Sequence, residues 1–115
     1  MDEKAGDVMV FGLKACDSCR AAVKALEASG RAVRLVDVRA EPLDEATRAR
    51  FLGAFGATLV NRRSTTWRGL SEAERARPPE ALLADHPALM KRPVIAVGGA
   101  LHLGWDAGVK GALGL

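Results

Sequence analysis

The sequence predicts an α/β fold: one mixed β-sheet flanked by helices, in the order βαβ, helices, ββα. Three observations carry this. A strand-like run, a helical stripe and a second strand-like run follow one another within about thirty residues near the start, the length of a parallel βαβ unit. Two short apolar runs near the end are separated only by Gly98-Gly99, a strong signal for a two-residue hairpin. Between these ends, the apolar spacing and capping residues are helical.

Taken in order, Met1 to Gly6 is polar and is expected to fray. Val8-Met9-Val10-Phe11 is an apolar run bounded by Gly12 and reads as a buried strand. A helix follows Cys16-Asp17-Ser18-Cys19 and runs to about Ser29. Within it, Cys19, Ala22, Val23 and Leu26 fall at i, i+3, i+4 and i+7, a core-facing stripe. Gly30 stands where a left-handed cap is expected. Val33, Leu35 and Val38 mark a second strand, and the crossover should be right-handed.

Asp44 can cap a helix running to about Phe55, with Phe51, Leu52 and Phe55 on one face. Ser71 to Glu74 has capping-box spacing, Pro78 and Pro79 end that short helix and start another, and His86-Pro87 ends the second. Val94 to Val97 and Ala100 to Leu103 form the hairpin, and a short helix from about Trp105 to Leu113 closes the chain. Its glycines make it marginal. The 115 residues suit one domain, 1–115, with a helical insertion over about 44–90.

The composition is that of an ordinary globular chain, 49% apolar and 27% charged, which argues against disorder. A net charge of +3 is too small and too scattered to imply direct binding of nucleic acid. Arg62, Arg63 and Arg68 do cluster, as an anion site or as a solvated basic loop. No apolar run approaches the roughly 20 residues of a membrane helix. The acidic start, Asp2 and Glu3, lacks the pattern of a secretory signal. No membrane partner is expected, and the cytoplasm is, where thiols are kept reduced.

In that compartment two cysteines are poor candidates for a structural staple. Cys16 lies between the first strand and the first helix, where free backbone N–H groups and the helix dipole favour an anion. Its pKa should therefore fall below the free value of about 8.5. Lys14 and Arg20 are near enough in sequence to add to the effect. Cys19, one turn on, points to the core stripe. The pair reads as an exposed nucleophile with a buried partner able to attack a mixed disulfide, and the strand–Cys-x-x-Cys–helix context marks a thioredoxin-like fold. Two inert core cysteines remain the alternative. Zinc needs further ligands, and His86 and His102 stand alone, so no metal is expected.

Arg92-Pro93 precedes the first hairpin strand. A trans bond is the default, since cis occurs in about 5–6% of such bonds. An arginine facing Cys16 would favour the thiolate and bind a carboxylate or oxyanion. Trp67 and Trp105 could line a groove, although half-buried packing is the commoner role. Ser18 is expected to help cap the first helix, Ser64 to Thr66 serve as loop caps or anion donors, and His102 has no evident chemistry.

Together these residues resemble the ArsC-like family, which takes in glutaredoxin-linked arsenate reductases, Spx regulators and YffB-type reductases. The likeness rests on Phe11-Gly12-Leu13-Lys14-Ala15-Cys16-Asp17, on Asn61 to Leu70 with Ser64-Thr65-Thr66-Trp67-Arg68, and on His86-Pro87 leading to Lys91-Arg92-Pro93. The Thr65-Thr66-Trp67-Arg68 string looks most like the YffB branch. The resemblance implies a thioredoxin-like core with a helical insertion, a nucleophilic Cys16, and arginines that clamp an oxyanion or glutathione. Arg92 matches the arginine before a structural cis-proline, here Pro93. A second family arginine falls at or beside Asn61, with Arg62 and Arg63 next to it. A third falls close to Trp105, which cannot make bidentate bonds, so arsenate reduction is the weakest expectation.

The function so implied is a thiol-dependent, glutathione-linked reductase with no bound cofactor. Its reductant would be glutathione or a protein of the glutaredoxin or thioredoxin type. Cys19 departs from the arsenate reductases and resembles the Cys-x-x-Cys switch of Spx proteins. They bind the C-terminal domain of the RNA polymerase α subunit, which makes a redox-controlled regulator the alternative.

Overall fold

The computed structural model describes residues 7–115; Met1 to Gly6, the segment expected to fray, lies outside the described residues. Its elements are β1 (Asp7–Gly12), α1 (Asp17–Ala28), β2 (Ala32–Asp37), α2 (Glu45–Phe55), α3 (Thr65–Arg68), α4 (Glu72–Arg75), α5 (Pro79–Asp85), β3 (Val94–Val97), β4 (Ala100–Leu103) and α6 (Ala107–Ala112). Short 3₁₀ turns occupy Gly56–Leu59 and Pro87–Leu89. The chain divides into two compact units, one holding the described residues to Asp37 with Arg92–Leu115, the other Val38–Lys91.

The first unit is a four-stranded mixed sheet in the order β2-β1-β3-β4. β1 and β2 run parallel, with Val8 opposite Val33 and Gly12 opposite Asp37. β3 runs antiparallel to β1, with Phe11 opposite Val94, and β4 turns back on β3. Gly98 and Gly99 take φ of +52° and +85°, the left-handed pair that a tight hairpin needs and L-side chains resist. The parallel pair follows from α1, whose Cys19, Ala22 and Leu26 are fully buried. Ala22 and Leu26 pack with Val8, Val10, Ile95 and Leu113, and Val23, Val33, Leu35, Val97, Trp105 and Val109 surround that cluster.

The second unit is built from short helices; α2, α3 and α4 each start at a side-chain cap, and α5 starts at Pro78-Pro79 without one. The Asp44 carboxylate accepts the Thr47 N–H at 2.8 Å, and Ser71 accepts that of Glu74 at 3.1 Å. Arg48 pairs with Glu80 at 2.8 Å and donates to the Leu43 carbonyl. Arg77 pairs with both Glu74 and Asp85. An isolated antiparallel bridge joins Val60 to Met90, with the Asn61 N–H donating to Leu89 and the Lys91 N–H to Leu59, both at 2.7 Å.

Three expectations need adjusting. The last helix begins at Ala107, because Asp106 caps it by accepting the Val109 N–H at 2.9 Å, and Trp105 precedes it. β2 ends at Asp37, before the buried Val38. α3 was not expected as a helix. No helix among the described residues is long and apolar enough to cross a membrane.

Candidate functional site

β1 ends at the buried Gly12, and the chain then turns into α1. The Cys16 N–H donates to the Leu13 carbonyl at 3.1 Å, which closes the turn. The Lys14 N–H donates to the Asp37 carboxylate at 3.0 Å, which ties the loop to the end of β2. Cys16 is the N-cap of α1: its backbone is extended and its carbonyl accepts the Arg20 N–H at 3.0 Å. No side chain caps this helix, so Ser18 does not play the part expected of it. The position normally held by a capping oxygen carries a thiol instead.

The antiparallel register of β1 and β3 places the start of β3 beside the end of β1. Arg92 stands just before β3, and the Arg92–Pro93 bond is cis. Arg92 thereby reaches Cys16. Partial burial works against ionisation of Cys16, but it is outweighed by hydrogen bonds from the Cys19 backbone and thiol, and by the hydrogen bond and charge of Arg92. The Cys16 pKa lies below its ordinary value. Cys19 has no solvent exposure, and burial pushes its thiol up to about 12. A hydrogen bond from the Leu13 backbone works the other way, and the neighbouring Cys16 adds to the rise.

The two thiols are therefore unlike. One is half-exposed and ionises readily; the other is buried, protonated and donates to the first. Both are unbridged. Arg20 contributes less than expected, because it pairs with Asp17 at 2.7 Å on the helix surface. The cation that bears on Cys16 is Arg92. Among the described residues, no group of three or more His, Cys, Asp or Glu side chains could hold a metal ion.

Cys16, Cys19 and Arg92 thus meet in the first unit, whereas Asn61, Arg62 and Arg63 are gathered in the second. The Asn61 side-chain carbonyl accepts the Arg63 N–H at 3.0 Å, and its backbone carbonyl accepts the Ser64 hydroxyl at 2.8 Å. Ser64 in turn accepts the Trp67 N–H at 3.1 Å and so caps α3. The guanidinium groups of Arg62 and Arg75 each lie 5.6 Å from the centre of the Trp67 ring. Asn61, Arg62 and Arg63 line an open groove together with Thr58, Val60 and Lys91.

Lys91 is a cation that the sequence reading missed. Its signal lay in the antiparallel Val60–Met90 bridge, which sets it opposite Leu59 and into the lining of that groove, and which no local spacing reveals. Trp105 belongs with the core residues of the first unit, under the Lys110 ammonium at 5.5 Å. His102 lies mid-strand opposite Ile95.

The chain is similar to known proteins in sequence and in fold. The family model described as the ArsC family matches residues 11–109. An uncharacterized protein of Haemophilus influenzae is 35% identical over 104 residues, covering 86% of this chain and 91% of that protein. The solved structure of the YFFB protein has a TM-score of 0.82 at 32% identity, over 91% of this chain and 96% of its own. That of an arsenate reductase (ArsC) related protein from Brucella melitensis has a TM-score of 0.73 at 30% identity, over 99% and 100%. A glutaredoxin from Archaeoglobus fulgidus, 14% identical, shares the fold at a TM-score of 0.51 over 94% and 86%.

Proposed function

Because the chain belongs to the ArsC family, we propose that it is a thiol-dependent reductase with Cys16 as its nucleophile and glutathione, or another small thiol, as co-substrate. The observation that carries this reading is the ionisable thiol at the start of α1, held by donors from Cys19 and Arg92. The Cys16 thiolate attacks one sulfur of a substrate disulfide. That S–S bond breaks, the leaving sulfur departs as a thiolate and takes a proton, and Cys16 is left in a mixed disulfide. A second thiol then resolves this bond: an external thiol attacks the sulfur joined to Cys16, forms a new disulfide with it and releases Cys16 as a thiolate, whereas Cys19 attacks Cys16 Sγ, releases the other sulfur as a thiolate and leaves a Cys16–Cys19 disulfide that two external thiols must reduce. Glutathione or a reductant of the glutaredoxin or thioredoxin type is the external candidate for that step; Cys19 is the internal one.

Arg92 serves twice in this scheme. It stabilises the attacking thiolate, and it offers a guanidinium to a carboxylate on the substrate. Asn61, Arg62 and Arg63 are proposed as further anion-binding residues, supported by the groove that they line with Lys91. Arsenate is the less favoured substrate, since Trp105 occupies the place near which a third arginine is implied and packs with the core. A cytoplasmic setting, where glutathione is abundant and thiols stay reduced, suits the scheme. The test is turnover of a glutathione mixed disulfide by wild type and Cys16→Ser. Loss in the variant is expected, and turnover retained without the Cys16 thiol would dismiss the proposal.

A second reading rests on the hydrogen bond between the two thiols. Side chains already in contact can close into an internal disulfide, so the pair could act as a redox switch controlling binding to the C-terminal domain of the RNA polymerase α subunit. Capture of that domain by the reduced and the oxidised protein tests it. Equal capture in both states, or none in either, rules out the switch.

A further inference from the structure

Gly12 is the last residue of β1 and is buried, yet its φ is not positive, so no turn demands a glycine there. What demands it is a sulfur atom. A methyl group added at Gly12 would overlap Cys19 Sγ outright, while lying 3.4 Å from Cys19 Cβ and 3.8 Å from Arg92 Cβ. The last distance is an ordinary contact, and the one before it is relieved by a shift of a few tenths of an ångström. Cys19 Sγ therefore occupies the space that any other side chain at position 12 would fill. The strand end also pairs with Asp37, whose carboxylate holds the loop leading to Cys16, so Gly12 cannot readily back away.

We infer that Gly12 is a positioning residue for the reaction at Cys16: its missing side chain is the slot that seats the Cys19 thiol against Cys16. Gly12 touches no substrate, and it acts only through the sulfur that it admits. The inference rests on the thiolate chemistry proposed for Cys16 and adds to it the residue that keeps the second thiol in place. A side chain at position 12 drives Cys19 Sγ out of its slot, and the thiol donor to Cys16 goes with it.

The test is the pH dependence of Cys16 alkylation, read by peptide mass, in wild type, Gly12→Ala, Cys19→Ala and the double variant, with Tm recorded for each. In Gly12→Ala the alkylation midpoint should rise by about one pH unit, a roughly tenfold loss of rate on the acid side. Its Tm should fall by about 5–15 °C, the effect of overpacking a buried site in a small domain. Cys19→Ala should show a similar rise in midpoint. Adding Gly12→Ala to Cys19→Ala should change neither midpoint nor Tm further, because the clashing sulfur is gone.

A wild-type midpoint in Gly12→Ala would overturn the inference, as would shifts that simply add in the double variant. Should Gly12→Ala fail to fold, the comparison of Cys19→Ala with the double variant still decides. Equal midpoints and Tm values support the slot, and a double variant that is also unfolded rejects it. An ordinary thiol midpoint in wild type would instead count against the thiolate reading of Cys16. The slot would then stand or fall on whether Cys19→Ala restores the Tm lost in Gly12→Ala.

Discussion

Cys16 and Cys19 are chemically identical side chains given opposite characters by their surroundings. Cys16 gains hydrogen-bond donors and the charge of Arg92, and so ionises below its ordinary value. Its alkylation should follow the thiolate, full above that midpoint and falling as the pH drops through it. Arg92→Leu removes one donor and the nearby charge, so the midpoint should move up by about one unit, measured by iodoacetamide labelling against pH. An unmoved midpoint would assign the acidity to the helix start and the Cys19 donors, without Arg92. For Cys19 the consequence is a stability effect of the opposite sign. An unfolded thiol ionises near about 8.5, whereas burial holds the Cys19 thiol protonated up to about 12. Between those values the unfolded chain has lost a proton that the folded chain keeps. The stabilisation is therefore complete below the lower value and drains away as pH rises, by up to about 1.4 kcal/mol per unit. Cys16, whose pKa is depressed, has the opposite sign: its contribution is lost only on acidification, is still building near the lower value and is level once the unfolded thiol has ionised. Wild-type Tm should accordingly fall between pH 8.5 and 10 (about the range below lysine titration) more steeply than that of Cys19→Ala. Parallel curves would show that the buried thiol does not titrate as described.

At the scale of elements, caps decide where the second unit bends. Ser64 both donates to Asn61 and receives from Trp67, so a single hydroxyl joins the Asn61 turn to a helix of only four residues. Ser64→Ala should lower stability by about 1 kcal/mol in denaturant titrations. It should also change the fluorescence of Trp67, whose ring has the guanidinium groups of both Arg62 and Arg75 at 5.6 Å from its centre. Trp67 emission as in wild type would mean that the cap does not set the ring's position. This helix also marks where reading the sequence stops working. α1 and the hairpin announce themselves by a stripe of Cys19, Ala22 and Leu26 and by Gly98-Gly99, signals several residues long. Thr65 to Arg68 is too short to show any period, and the apolar bulk of Trp105 drew the last helix two residues early although Asp106 offered the better cap. The same limit applies within the site. Cys16 and Cys19 were legible from their spacing and from the strand and helix around them. Arg20 was credited with a charge that its i,i+3 partner Asp17 absorbs, a pairing the sequence did contain. Lys91 was invisible because a bridge between distant segments places it.

For the molecule as a whole, the decisive step is the pairing of β1 with β3 across the intervening segment Val38–Lys91. That pairing delivers Arg92 to Cys16 from far along the chain, and neither periodicity nor spacing could specify it. Only the family resemblance implied both the partner and the cis bond before β3. The reactivity of Cys16 is then a property of the folded sheet as well as of the local Cys-x-x-Cys sequence. In urea, rapid alkylation at pH 6 (about two units below a free thiol) should vanish in the same transition that circular dichroism reports, as two-state unfolding requires. Leu26 is fully buried in the cluster beneath the sheet with Val8, Val10 and Ile95, so Leu26→Ala should cost about 2–5 kcal/mol. The variant should shift both transitions together to lower urea by about 1–3 M. Below its new midpoint, it should keep the wild-type pH dependence of alkylation, because the mutation weakens the sheet without touching Cys19 or Arg92. If fast labelling at pH 6 outlasted the loss of secondary structure, the acidity of Cys16 would belong to its immediate neighbours in sequence, and the delivery of Arg92 by β3 would not be its cause.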